Sequence, residues 1–189
     1  MDKKRRVGVV GAGLMGREIG LVFALAGCAV LLTDQSQAAL DAAMARLSEI
    51  LAKGVARGFY TPDQRDGALA NLDVADCDYV TEAVFESEDV KAGVYGKLAA
   101  VLAPSCIIAT NTSTIPISVL ASHLGPERRP FFIGTHFFSP VSRMALVEVI
   151  SGIETSPATL EATLELCRSI GKTPVPIRDV PGFAVNRLL

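Results

Sequence analysis

The sequence predicts an α/β fold: a doubly wound, mostly parallel sheet covered by helices on both faces. Two observations carry that prediction. Short apolar runs alternate with segments of helical period along the whole chain, the pattern of successive β-α-β units. The first run opens directly into the glycine-rich stretch Gly11-Ala12-Gly13-Leu14-Met15-Gly16, which leads into a helix. Half of the 189 residues are hydrophobic, enough to bury one domain and the start of a second.

Taken in order, residues 7–10 form a short apolar strand ending in glycines, and Leu14, Ile19, Val22, Phe23 and Ala26 then recur on a helical period. A second strand over 29–33 closes at Asp34, and the alanine-rich stretch 37–55 reads as a helix. Thr61-Pro62-Asp63 is a helix start, with threonine as N-cap and proline at the first helical position. Strands are expected over 71–74 and 79–85, a helix over 88–102, and a strand over 106–110. Strands over 131–138 and 146–150, a helix over 158–170 and a strand over 174–177 complete the unit. The final stretch, 182–189, begins an apolar helical pattern without a cap, so the chain is expected to hold one domain over 1–180 and, over 181–189, the start of a truncated helical one.

Composition narrows the ligand class. Eighteen basic residues against 20 acidic ones give a net charge of -2, with no basic footprint for nucleic acid or a membrane surface. The opening MDKKRR has charge like the start of a signal peptide, but the following VGVVGAG is short and glycine-broken, so it is expected to be a solvated leader. No stretch reaches the roughly 20 apolar residues of a membrane span. Cys28, Cys77, Cys106 and Cys167 are scattered, without metal-ligand spacing, and predict core thiols in a reducing, cytoplasmic compartment.

The glycine stretch carries chemistry because of where it sits. Gly11 permits a tight turn, Gly13 lets the backbone approach a pyrophosphate, and Gly16 lets helix and strand pack closely. The helix N-terminus offers unpaired N–H groups and a positive dipole end to phosphate. Asp34 ends the second strand about 20 residues on, where a carboxylate accepts bonds from adenosine ribose hydroxyls. Together these predict a Rossmann-type dinucleotide site. Asp34 would repel a 2′-phosphate and Gln35-Ser36-Gln37 offers no arginine, so NAD is expected rather than NADP.

His123 and His136 are the two histidines. His123 lies in a polar run and reads as a solvated loop or helix end. His136 interrupts an apolar strand, as does Glu148, and two polar groups in neighbouring buried strands are best accommodated by pairing. Such a glutamate fixes the imidazole tautomer and supports a general base that removes a hydroxyl proton as hydride leaves the same carbon. On residue type alone, Ser113 reads as a loop cap and Asn186 as a helix-surface residue.

VGVVGAGLMG, Asp34, EAVFE from Glu82 to Glu86, Lys91, NTSTIPI from Asn111, GTHFFSPVSRMALVEV from Gly134, and VPGFAVNRLL from Val180 together resemble the 3-hydroxyacyl-CoA dehydrogenase family over nearly the whole chain. The resemblance implies oxidation of a 3-hydroxyacyl thioester with NAD, with His136 as base and Glu148 as its acidic partner. It further implies that Ser113 and Asn186 bond the reacting substrate oxygen, and that Gly11, Gly13, Leu14, Met15, Gly16, Asp34, Glu86, Lys91 and Asn111 are cofactor-binding. The family more often has asparagine at Ser139, and a proline and a lysine in the region of Ser142 and Ala145. It continues into a helical domain, absent here, that forms a homodimer and one wall of the cleft, so poor turnover is expected of this stretch alone. The thioester carrier is coenzyme A or acyl carrier protein. A serine hydrolase built on Ser113, His136 and Glu148 is the second class, weakened by the lack of a G-x-S-x-G elbow, and a non-catalytic NAD-binding protein is the third.

Overall fold

The computed structural model describes residues 5–70 and 77–187. The strand expected over 71–74 lies outside the described residues. The elements run β1 (Arg6–Val10), α1 (Leu14–Leu25), β2 (Ala29–Thr33), α2 (Gln37–Ala56), α3 (Pro62–Ala70), β3 (Tyr79–Glu82), α4 (Glu88–Val101), β4 (Ile107–Thr110), α5 (Ile117–Ala121), β5 (Phe132–Phe137), β6 (Leu146–Ser151), α6 (Pro157–Ser169) and β7 (Thr173–Arg178). The seven described strands form one sheet in the order β2-β1-β3-β4-β5-β6-β7. From β1 the chain winds to β2 on one side and to β3 on the other, so the ends of β1 and β3 flank a switch-point crevice, where open α/β sheets bind ligands.

The pleat divides the core. Val7, Val9, Ala109, Ile133, Val147 and Val149 pack with residues of α1, α2 and α6. Their strand neighbours Ile108, Phe132 and Ile150 face the other way, toward Tyr95 of α4 and Ile117 and Leu120 of α5. Both faces of the central strands are therefore buried, as a doubly wound fold requires, while the edge strand β7 is largely exposed. At α3 the expected start is fully formed: Gln64 N donates to Thr61 Oγ1 at 3.1 Å and Thr61 N donates to Gln64 Oε1 at 2.9 Å, a reciprocal capping box ahead of Pro62. No helix among the described residues is long and apolar enough to cross a membrane. Burial pushes the Cys106 and Cys167 thiols up to about 12, so both stay protonated in the core.

Four departures from the expected pattern have local causes. β3 ends at Glu82 rather than 85, because the Glu82 carboxylate accepts Val84 N at 2.7 Å and bends the backbone off the ladder. β6 runs antiparallel to β5, since the connection over 138–145 is too short for a parallel crossover. α5 spans five residues, too few for a periodic signal, and is held at its start by a distant residue: Asp179 accepts Ile117 N at 2.7 Å and Ser118 N at 2.8 Å. Instead of an α-helix from 182, the chain makes a turn closed by Phe183 N donating to Val180 O at 3.0 Å, then a 3-10 turn at Val185–Arg187. Phe183, at φ 50°, is incompatible with a right-handed helix. It is 1% exposed and belongs to the core facing α4 and α5, so this segment packs back on the sheet.

At the sheet edge, Thr173 N donates toward β6 through Ala145 O at 2.8 Å, which turns the nitrogens of Pro174 and Pro176 outward. Proline there offers no donor to a further strand. Asp179 links the chain after β7 to α5, and with Ser118 Oγ as a third donor beside the two amides it is the clearest single tie across that face. Replacing Asp179 with Ala should lower stability by about 1–3 kcal/mol, read as a lower urea midpoint at unchanged slope; an unaltered midpoint would show that the cap contributes nothing.

Candidate active site

The glycine loop is shaped by backbone contact. Gly11 has φ 104°, and an added Cβ there would sit 2.6 Å from Ala83 O. At Gly16 the same atom would lie 1.7 Å from Gly11 O, so the first turn of α1 can approach β1 only without a side chain. Gly13 differs: nothing lies within 4 Å of its Cβ position, and it is the N-cap of α1. Open space at a helix N-terminus fits a pyrophosphate. Asp34 Oδ2 accepts Ala12 N at 2.8 Å and Oδ1 accepts Ser36 N at 2.9 Å, which fixes the carboxylate at the loop while leaving each oxygen a further lone pair for a ribose hydroxyl. Leu14 is exposed and Met15 half-buried at the opening of α1.

Beyond the loop lies a chain of buried charge. Glu82, at the end of β3, accepts Lys91 Nζ at 2.8 Å, Tyr95 Oη at 2.9 Å and Thr110 Oγ1 at 2.8 Å. Lys91 Nζ also lies 3.3 Å from Glu86 Oε2. Lys91 is 0% exposed, so its charge meets the crevice through Glu86 rather than through surface of its own. Glu86 Oε1 gathers the loop after β4, accepting Thr112 Oγ1 at 2.5 Å, Ser113 N at 2.8 Å and Thr114 N at 3.2 Å. Burial alone would raise the Glu86 pKa, but these bonds and the Lys91 charge outweigh it and hold the carboxyl below its usual range. The resulting stabilisation is present above the unfolded glutamate value of about 4.3 and is lost as pH falls through the lower folded value.

His136 and Glu148 face each other in register across β5 and β6. His136 Nδ1 lies 2.8 Å from Glu148 Oε2, with the side chain 7% exposed and its ring packed against Phe138 and Phe183 at centroid distances of 4.4 and 5.9 Å. With Nδ1 donating to the carboxylate, Nε2 carries the lone pair. The second oxygen, Oε1, accepts Ala184 N and Val185 N, both at 3.0 Å. Asn186 Nδ2 donates to Ser113 O at 2.9 Å, so the segment after β7 meets both the base and the serine loop. Among the described residues no hydrogen bond joins Ser113 Oγ to His136, whose hydrogen-bond partner is Glu148, so the nucleophile–base contact of a hydrolase is not formed there. Asn111 uses its Oδ1 to accept Phe137 N at 2.9 Å, tying β4 to the residue beside His136. His123 pairs with Glu88 at 2.8 Å on the surface.

Several residues at the site escaped the sequence reading. Glu82 and Phe183 stand inside the motifs EAVFE and VPGFAVNRLL, yet nothing in their spacing assigns them partners. Glu18 is a helix residue with no motif. Its Oε2 accepts Val141 N at 2.7 Å and lies 3.4 Å from Ser139 Oγ, pinning the chain after His136 to α1. Lys172 donates to Val141 O and to Met144 O on the same stretch.

Comparison with known proteins identifies the family. Residues 6–180 match the family described as 3-hydroxyacyl-CoA dehydrogenase, NAD binding domain. A 3-hydroxybutyryl-CoA dehydrogenase of Bradyrhizobium diazoefficiens is 43% identical over 98% of this chain and 65% of the relative. A fatty acid oxidation complex subunit alpha of Psychrobacter cryohalolentis is 41% identical over 96% of the chain but only 26% of its own length. The chain thus spans from about a quarter to about two thirds of these relatives. Among solved structures, an (S)-3-hydroxybutyryl-CoA dehydrogenase from Ralstonia eutropha superposes with a TM-score of 0.93 at 36% identity, over 98% of this chain and 68% of that one. With its glycine loop, Asp34 and sheet order, the chain belongs to the 3-hydroxyacyl-CoA dehydrogenase family, and residues 6–180 are its NAD-binding domain.

Proposed function

We propose that the protein interconverts a 3-hydroxyacyl and a 3-oxoacyl thioester, with NAD as hydride acceptor and His136 as general base. The observation that carries this reading is the 2.8 Å contact of His136 Nδ1 with Glu148, which leaves Nε2 as the basic atom. When bound, NAD supplies the carbon that accepts hydride. The residues fit to hold it are Gly13 at the pyrophosphate, on the open N-terminus of α1 that Gly11 and Gly16 shape, and Asp34 at the ribose, with Glu86 lining the crevice. In oxidation, His136 Nε2 takes the substrate hydroxyl proton, and Glu148 stabilises the imidazolium that results; in reduction the same nitrogen returns the proton. Ser113 and Asn186, joined through the Ser113 carbonyl, are proposed to orient the reacting oxygen. The names of the relatives favour coenzyme A as the thioester carrier.

The base assignment is tested with His136→Gln in the complete gene product. NADH formation from 3-hydroxybutyryl-CoA should fall by about 10²–10⁴-fold while NAD affinity is kept; undiminished turnover would remove His136 from the reaction. The cofactor site is tested by two glycine substitutions that differ only in what the new methyl meets. Gly13→Ala should leave the melting temperature in place yet weaken NAD by about 10-fold or more, the cost of overpacking a ligand contact. Gly16→Ala should lower the melting temperature by several degrees, because its methyl meets Gly11 O. Unchanged NAD binding in Gly13→Ala would place the pyrophosphate elsewhere.

A further inference from the structure

Phe183 is the described non-glycine residue with a left-handed backbone, at φ 50°, and it follows Gly182 at φ 74°. A large residue in that region is strained and persists only where its surroundings hold it. Here the hold is visible: the Phe183 side chain is 1% exposed, sits in the core with Ile117, Leu120 and Ile150, and packs against the His136 ring. The consequence is a change of direction immediately afterward. The next two N–H groups, of Ala184 and Val185, converge on one atom, Glu148 Oε1, each at 3.0 Å. Successive N–H groups brought together by a left-handed residue form a concavity that holds an anion.

We infer that Phe183 is a positioning residue for the base: burial of its ring offsets the strain of the left-handed backbone, the turn aims two amides at Glu148 Oε1, and Oε2 is thereby presented to His136 Nδ1. The inference rests on the proposed role of His136 and adds what keeps the pair aligned. Glu148 lies on β6 and could swing about its side-chain torsions; two fixed donors on one oxygen remove that freedom. Because the same turn sends Asn186 Nδ2 to Ser113 O, the alignment of the base and that of the serine loop share one backbone device.

The test compares Phe183→Ala with Phe183→Gly. Both remove the ring, but only glycine adopts the left-handed conformation without strain. The His136 tautomer is read from ring-nitrogen NMR, simplified by there being only two histidines. Wild-type protein and Phe183→Gly should both show His136 with its proton on Nδ1, and Phe183→Ala a mixture of tautomers. In the complete gene product, kcat should fall about 10-fold or more in Phe183→Ala with KM little changed, and glycine should recover most of it. A single Nδ1–H tautomer in the alanine variant, or a glycine variant no better than alanine, would overturn the inference. If the alanine variant does not fold, amide exchange in the wild-type protein decides: slow exchange at both Ala184 and Val185 supports it, and exchange at the rate of exposed amides overturns it. The tautomer readout does not depend on turnover. Failure of the base assignment in His136→Gln is therefore distinguishable from failure of the positioning role.

Discussion

The buried carboxylate of Glu148 is the constraint around which the β5–β7 half of the molecule is arranged. It is 1% exposed, on a strand covered on both faces, and a charge in that position is tolerated only if its lone pairs are met. Three groups meet them, from two directions: the His136 imidazole from β5, and the Ala184 and Val185 amides from the segment after β7. Satisfying the carboxylate therefore requires β5 to pair with β6 in a register that sets residue 136 opposite 148. It also requires the chain after β7 to return across the sheet. The antiparallel pairing at this end serves that need, since it brings two strands that are adjacent in sequence side by side with their polar residues facing.

A second buried carboxylate organises the cofactor side by the same rule. Glu82 is fully enclosed and satisfied by Lys91, Tyr95, Thr110 and the Val84 amide. Lys91 has charge to share with Glu86, and Glu86 in turn draws in Thr112, Ser113 and Thr114. The position of Ser113 is thus transmitted from the end of β3 through a chain of charge-assisted bonds rather than by packing alone. Removing one member of such a chain leaves its neighbour unpaired in the interior, which costs more than the bond itself is worth. The networks around the two carboxylates meet at Ser113, whose N–H is held by Glu86 and whose carbonyl is held by Asn186.

Much of this was open to reading from residues in order. The helix read over 37–55 and the strand at 29–33 follow from local period and composition, and the α3 start from a threonine followed by a proline, whereas the Gln64 half of the capping box emerged only in the structure. The glycine loop and Asp34 were legible because the spacing of that motif reflects a backbone approach that happens within one β-α-β unit. The pairing of His136 with Glu148 was legible for a different reason: each was a polar interruption in an apolar strand, and burial gave them few alternatives. The direction of β6, the early end of β3 and the short α5 were not legible, since they depend on a connection too short to cross over, a side chain bonding its own backbone, and a cap supplied by residue 179.

What the sequence by itself determined is the alternation of strands and helices, the glycine loop with Asp34 at its edge and the pairing of His136 with Glu148, because each rests on residues close in sequence or on a residue type that is costly to bury unpaired. What only the tertiary structure decided is how those groups are held. Lys91 is enclosed between Glu82 and Glu86, Asn111 spends its carbonyl on β5, and a phenylalanine in a left-handed turn directs two amides to Glu148. The physical reason is the same in each case: a buried polar atom takes whichever partner the folded chain brings within about 3 Å, and sequence distance carries no record of it.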